Sequence, residues 1–403
     1  MLSWYAIEGE KKKKFHQSLF IAAMIILAIK NITDSSMILR KPDKLDDFMI
    51  ILFIFLISIK ILTQKYTFKS IILSAMFFFT CVFTCIKCHY FYLFFTSLLL
   101  CAMQEIDLKK VLSATSITKF VLLGYHVFCY IKDLIFFPWK VTYSYRLGGG
   151  PRMTFYQGHA NTFAMYICWS SLEFLYAKND KLKPGHIGFI WFINFIFYLC
   201  CDSNTSFIII TLACLNILAF KSLTGRYKKI FEINIKFLSR YLYAVLSVFF
   251  TTVIIGFVNG FFSDIFKKLD NFFTGRLLYG AVAYDLKGMS WFGKTVEFPP
   301  KIYWRGYWID SMIFDNCFIW MFISYGVIYL IMISFFFWKY AKEMETIDCI
   351  FLVLYTLYTI MEAYVMNCSI CFSLLIVGMY IAKVQEKKRN EHLHKHYYPS
   401  LQY

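Results

Sequence analysis

Charge is in short supply. Asp, Glu, Lys and Arg together make up 17% of the 403 residues, while 59% are hydrophobic and 21% aromatic. A soluble domain is typically about half apolar and about a quarter charged, so this composition excludes one and predicts a polytopic membrane protein. Acidic residues are scarcer than basic ones, 25 against 42, for a formal charge of +17. Yet no stretch gathers the basic residues into one face. They are scattered through short gaps between apolar runs, which argues against nucleic acid as a partner and for a role in membrane orientation.

A small-residue cleavage site is missing after Lys11 to Lys14 and the apolar run from Leu19 to Ile29, so this resembles a signal sequence but reads as an uncleaved first span. An even cysteine count is missing too. Thirteen cysteines, mostly inside apolar runs, argue against a disulfide framework. Cys85-Ile86-Lys87-Cys88-His89 has the spacing of a c-type haem attachment, but it is single and ends a span in a Cys-rich chain, so packing is the preferred reading and no cofactor or metal is expected. Cys368 and Cys371 are read as packing as well. His392, His394 and His396 alternate in a polar tail that is read as solvated. No internal repeat is visible, which speaks against two matching transporter halves.

What the chain has in abundance is long apolar runs. With about 20 residues needed to cross a bilayer, about twelve spans are expected, near 17–38, 46–63, 69–87, 89–104, 111–132, 160–177, 186–201, 204–220, 241–260, 313–338, 347–364 and 366–383. The predicted fold is all-α, a single transmembrane domain over 1–384 with a cytoplasmic polar tail at 385–403. Lysines and arginines concentrate in alternate short gaps, which puts both termini in the cytoplasm and the long loops 133–159 and 261–312 outside. Lys30, Lys60 and Lys119 are the only basic residues well within these spans, too few for a charged transport pathway. Glu362 falls within the penultimate span or at its outer end, depending on where that span stops.

The longest interruption, Phe261 to Asn316, is where a water-facing site has room. Phe261, Phe262, Ile265, Phe266, Leu269, Phe272 and Phe273 are spaced three and four apart opposite Ser263, Asp264, Lys267, Lys268, Asp270 and Asn271, the pattern of an amphipathic helix in a membrane surface. Arg276 follows, then a run dense in Trp, Tyr, Pro, Arg and Asp. Arginines outside run against the usual bias, and an anionic ligand explains them because a guanidinium binds phosphate and carboxylate bidentately. Pairing with Asp264, Asp270, Asp285 and Glu297 or with lipid headgroups is the competing account. In the other loop, Arg146-Leu147-Gly148-Gly149-Gly150-Pro151-Arg152 lacks the Gly-Lys-Ser/Thr of a nucleotide-binding loop. It reads instead as a flexible segment bringing Arg146, Arg152, His159 and Asn161 toward a headgroup, or as a connector whose His159 and Asn161 cap the next helix.

Four strings then line up with a family. Arg152 followed by Gly158-His159-Ala160-Asn161, the polar break Asp202-Ser203-Asn204-Thr205-Ser206, Gly275-Arg276 preceding Trp291-Phe292-Gly293-Lys294, and Asp310 with Asp315-Asn316 before Gly326 resemble, in this order, the motifs of Wzy-type polymerases of O-antigen, capsular and exopolysaccharide and of the related O-antigen ligases. The match spans roughly residues 105–364. It departs from the pattern at Ala160, where Pro is usual, at Tyr156-Gln157, which replaces Gly-Phe, and at Asn204, which stands for an Arg.

The resemblance implies a metal-independent membrane glycosyltransferase of the bacterial cytoplasmic membrane. It would join undecaprenyl-diphosphate-linked repeat units at the outer face, with membrane lipid, a chain-length regulator and a flippase as partners. Arg152 and Arg276, with Arg146 and Arg305, would stabilise the leaving diphosphate. His159, Asp310, Asp315 and Glu297 are candidates for the base that activates a sugar hydroxyl. Asn161 and Asn316 would bind substrate. Trp304 and Trp308, with neighbouring aromatics, would stack on sugar rings unless they form an ordinary interfacial belt. An O-antigen-type ligase and a flippase or exporter of the lipid-linked unit are the alternatives.

Overall fold

A computed structural model describes residues 2–66, 68–145, 149–261, 263–273, 275–310 and 315–397. Among them helices dominate. In chain order they are α1 (Leu2–Asp34), α2 (Asp43–Thr63), α3 (Phe68–Cys88), α4 (Tyr92–Cys101), α5 (Leu108–Phe136), α6 (Ala160–Lys178), α7 (Pro184–Cys201), α8 (Asn204–Ser222), α9 (Gly225–Val258), α10 (Ser263–Phe272), α11 (Arg276–Lys287), α12 (Cys317–Trp320), α13 (Val327–Tyr340), α14 (Thr346–Thr359) and α15 (Ser373–Tyr397). Two small antiparallel hairpins accompany them, β1 (Tyr143–Tyr145) with β2 (Pro151–Met153), and β3 (Lys301–Trp304) with β4 (Tyr307–Asp310). Among the described residues six helical stretches are long and apolar enough to cross a membrane: Glu10–Asp34, Ile71–Cys88, Leu108–Phe136, Pro184–Cys201, Asn204–Ser222 and Gly225–Val258. Helices suit that setting because every backbone N–H and C=O finds its partner inside the segment.

The chain divides into two compact units, one of residues 1–65, 99–224 and 369–391, the other of 66–98, 225–368 and 392–403. In the first, α6 is the central helix, packed by α5, α7 and α8 and buried on almost every side. A helix apolar all round belongs in an interior, and α6 also buries Ser170, Ser171 and Glu173 there. Lys119 of α5 meets Glu173 at 2.5 Å and donates to the Ser369 carbonyl at 2.6 Å, while the Thr115 hydroxyl donates to the other Glu173 oxygen at 3.0 Å. Lys30 and Lys60 are buried as well. Lys30 pairs with Asp34 and Asp46, and Lys60 donates to the Gln104 carbonyl at 2.8 Å. Each of these three lysines therefore has its counter-charge or acceptor, the condition under which an ionisable group is tolerated in an apolar interior.

In the second unit α9 packs against α11, α12, α13 and α14. The expected span 313–338 is broken here. After α12 the chain loosens into one π turn, Met321–Tyr325, and Gly326 at φ 101° separates it from α13. The expected span 89–104 shortens to the ten residues of α4. The last two expected spans are parted by the largely buried stretch 360–372, where Glu362 is 5% exposed. Residues 385–397, read as a solvated tail, continue α15.

Candidate functional site

In the first unit, Arg152 lies on β2 opposite Ser144 and is only 5% exposed. Its Nε donates to the Cys201 carbonyl at 2.7 Å, and its terminal nitrogen donates to Asn161 Oδ1. Cys201 ends α7, where carbonyls lack intrahelical donors and the helix carries partial negative charge. Arg152 thus ties the end of α7 to the start of α6. His159 is the residue capping α6, its Nδ1 accepting the Asn161 N–H at 3.1 Å while the ring stays exposed.

The turn between them is tight. Phe155 and Tyr156 both take left-handed backbone conformations, φ 47° and 59°, and both are buried. Left-handed geometry at aromatic residues is costly and persists only where surrounding contacts enforce it. Those contacts are Tyr130, Phe163 and the segment after α1: the Met37 N–H donates to the Tyr156 carbonyl at 2.8 Å and the Ser35 hydroxyl to Gln157 Oε1 at 2.6 Å. Tyr156 donates to Asp133 at 2.9 Å. Burial, reinforced by this carboxylate, pushes its phenol up to about 12, so it remains a donor at neutral pH. Arg146 lies outside the described residues.

In the second unit, Arg276 opens α11 behind Gly275, whose φ of 83° suits glycine. Its Nε donates to Asp315 Oδ2 at 3.0 Å, with the two side chains 13% and 32% exposed. Asp270 accepts the Leu278 N–H at 2.9 Å and so covers the first turn of α11. Burial raises its carboxyl above the ordinary value, against these backbone hydrogen bonds. Asn316 is 3% exposed and caps α12 by accepting the Ile319 N–H at 3.2 Å, whereas its Nδ2 has no acceptor among the described residues. A buried amide without a partner costs on the order of 1–3 kcal/mol. This one stands next in sequence to the half-open Asp315. The Asp310 side chain lies outside the described residues.

The aromatic run holds a surprise in its period. It forms the β3–β4 hairpin around Arg305 and Gly306, both at positive φ, as a two-residue hairpin turn of the primed kind requires. Strand alternation then sorts the side chains. Ile302, Trp304 and Ile309 point inward to a core with Val282, and Tyr303 and Trp308 stand outward, 61% and 70% exposed, with ring centroids 5.2 Å apart. Trp304 is therefore not a sugar platform. It is 6% exposed, and its indole N–H donates to Asp285 at 2.8 Å. Arg305 reaches the same carboxylate at 3.3 Å and the Val258 carbonyl at 2.8 Å, so its charge is already shared.

Two of the motif glycines meet. A side chain on Gly326 would come within 2.5 Å of the Trp291 carbonyl, and one on Gly293 within 3.0 Å of the Ser324 carbonyl. Lys294 N–H donates to the Ser324 carbonyl, and Val327 N–H to the Ser290 carbonyl, each at 2.8 Å. The 290–294 loop thus supplies the hydrogen bonds that the broken helix gives up. Lys294 also donates to the carbonyls of Gly288 and Met289, closing the end of α11. Burial and the nearby Lys287 charge lower its pKa.

Sequence reasoning missed Glu173, the partner of Lys119, although a carboxylate and an ammonium in two apolar runs were a signal to pair them. It also missed Asp133 and Asp46 as partners, because they meet Tyr156 and Lys30 from separate segments, and Asp34, which lies one helical turn from Lys30. Glu297 is exposed in an irregular stretch. Among the described residues no group of His, Cys, Asp and Glu could hold a metal, and none of the cysteines, Cys85 and Cys88 included, is in a disulfide. Compared with known proteins, the chain matches no family model, no curated sequence and no solved structure.

Proposed function

We propose that the chain is a bacterial polysaccharide polymerase of the cytoplasmic membrane, joining undecaprenyl-diphosphate-linked repeat units at the outer face of the bilayer. About twelve spans, both termini inside and the loops 133–159 and 261–312 outside belong to the same proposal. The observation that carries it is the Arg276–Asp315 pair, 3.0 Å apart and partly open, beside Asn316 with its unspent amide.

An arriving diphosphate competes with Asp315 for the guanidinium, because a fork of N–H donors suits phosphate oxygens at least as well as a carboxylate. Asp315 is then released as a free base. In the reaction a sugar hydroxyl of the incoming unit attacks the anomeric carbon of the growing chain, and its proton passes to Asp315. The bond from that carbon to the diphosphate oxygen breaks, and the diphosphate departs with the electron pair onto Arg276. Asn316 Nδ2 is a neutral donor for the same oxygens. Tyr303 and Trp308 offer exposed faces to sugar rings.

The decisive experiment is the glycan profile of a strain lacking this protein. Single repeats without long chains support the polymerase. Free polymer that is no longer attached to its acceptor supports an O-antigen-type ligase instead, and loss of lipid-linked units from the outer leaflet supports an exporter. A reporter fused after Lys301 is expected to be active only outside the cytoplasm.

A further inference from the structure

A cavity of about 390 Å³ opens between the first turns of α5 and the end of α6, within the first unit and apart from the residues discussed above. Lys109, Lys110, Lys178 and Lys181 line it, against the single carboxylate of Asp180. Lys109 takes that carboxylate at 2.5 Å, and Lys110 lies 3.4 Å from Asp107. The ammonium groups of Lys178 and Lys181 have no ion pair among the described residues.

Helix ends explain half of this arrangement. Cations at the C-terminus of α6 are favoured by the helix dipole, but Lys109 and Lys110 sit at the N-terminus of α5, where the same field disfavours them. Asp107 offsets part of that cost by capping α5. The rest calls for an anion. The cavity wall is also greasy, with Ala114 and Ile117. From Ile117 an exposed apolar row continues along α5 through Val121, Tyr125 and Phe128, the i, i+4, i+8, i+11 spacing of one helical face.

We propose that this cavity is a binding site for an anionic phospholipid, its phosphate held among the four lysines and an acyl chain lying along that row of α5. Basic pockets between membrane helices recognise acidic headgroups in this way. The site is independent of the reaction proposed above.

The test uses the full-length protein in nanodiscs of phosphatidylcholine, with and without phosphatidylglycerol, read by thermal shift and by the lipid retained in native mass spectrometry. Phosphatidylglycerol is expected to raise the melting temperature and to be retained. Lys178→Gln/Lys181→Gln should weaken that retention about tenfold or more, with an unchanged melting temperature in pure phosphatidylcholine. Arg40→Gln, at the far cavity where Lys30, Lys41, Asp34 and Asp46 balance each other, should leave it unaltered. Equal retention of the two lipids, equal retention by the double variant, or the same shift from inorganic phosphate alone would overturn the proposal. Stronger retention of undecaprenyl phosphate than of phosphatidylglycerol would overturn it too, reassigning the cavity to the carrier lipid.

Discussion

Arg152 and Arg276 stand out in the sequence on equal grounds, each an arginine in a long loop and in a string that also holds a glycine. Their surroundings differ. Arg152 is buried and donates to a helix-terminal carbonyl and to a side-chain amide of the neighbouring helix. Arg276 is partly open and held by a carboxylate that is itself a third exposed. A guanidinium serving a buried carbonyl cannot leave without orphaning it, whereas a carboxylate a third exposed can turn to water if its guanidinium moves to another anion. The first arginine holds a loop to two helix ends, and the second is the one to which the proposed reaction gives a role.

The comparison is sharpest in Arg276→Ala, expected to cut chain extension by about 10²–10³-fold, as loss of a preorganised donor to a developing charge does, with melting temperature close to the parent. Arg276→Lys should recover only part of the activity, since the charge stays and the fork is lost. Normal chain lengths in Arg276→Ala would break the contrast.

Arg152→Ala is expected to act on the fold instead, costing about 3 kcal/mol through the unpaired Cys201 carbonyl and the lost charge-assisted bonds, read as a lower melting temperature in detergent. An undiminished melting temperature with chain extension abolished would move Arg152 into the reaction. A smaller effect separates the two tryptophans. Trp308→Ala should weaken acceptor use by about 1 kcal/mol, the scale of an exposed aromatic contact, and leave stability alone, while Trp304→Phe should lower stability by removing the indole N–H from Asp285, which then keeps only the longer contact to Arg305.

The smallest effect concerns Asp270. Its folded-state pKa is raised, so the folded protein binds the proton more readily than the unfolded chain. Its contribution to stability therefore falls as pH rises from the ordinary value of 3.8 through the elevated one. Asp270→Asn keeps an acceptor for the Leu278 N–H and should flatten that slope. An unchanged pH dependence of unfolding would show that the carboxylate is not strained by burial.

Much of the architecture could be read in advance. Of the amphipathic pattern at 261–273, residues 263–272 form α10, where Phe266 is buried against Phe257 while Ile265 and Phe272 are exposed; Phe262 lies outside the described residues. The hairpin at 301–310 was legible in principle, since Ile302, Trp304 and Ile309 share one face under a period of two. It escapes notice because Arg-Gly is a weak signal for a turn in which both residues need positive φ. Gly293 and Gly326 stand out as motif residues, but the reason for them, two backbones crossing within reach of a hydrogen bond, involves segments over thirty residues apart.

By itself the chain determined that it is an apolar helical protein and where most of its helices run, because a helix closes its hydrogen bonds locally and a long apolar run records them. Only the tertiary structure decided which partner each of the two arginines takes, which tryptophan faces out, and which acceptor answers each buried lysine. Those outcomes depend on partners brought from distant positions, and a side chain's residue type does not say whom it will meet.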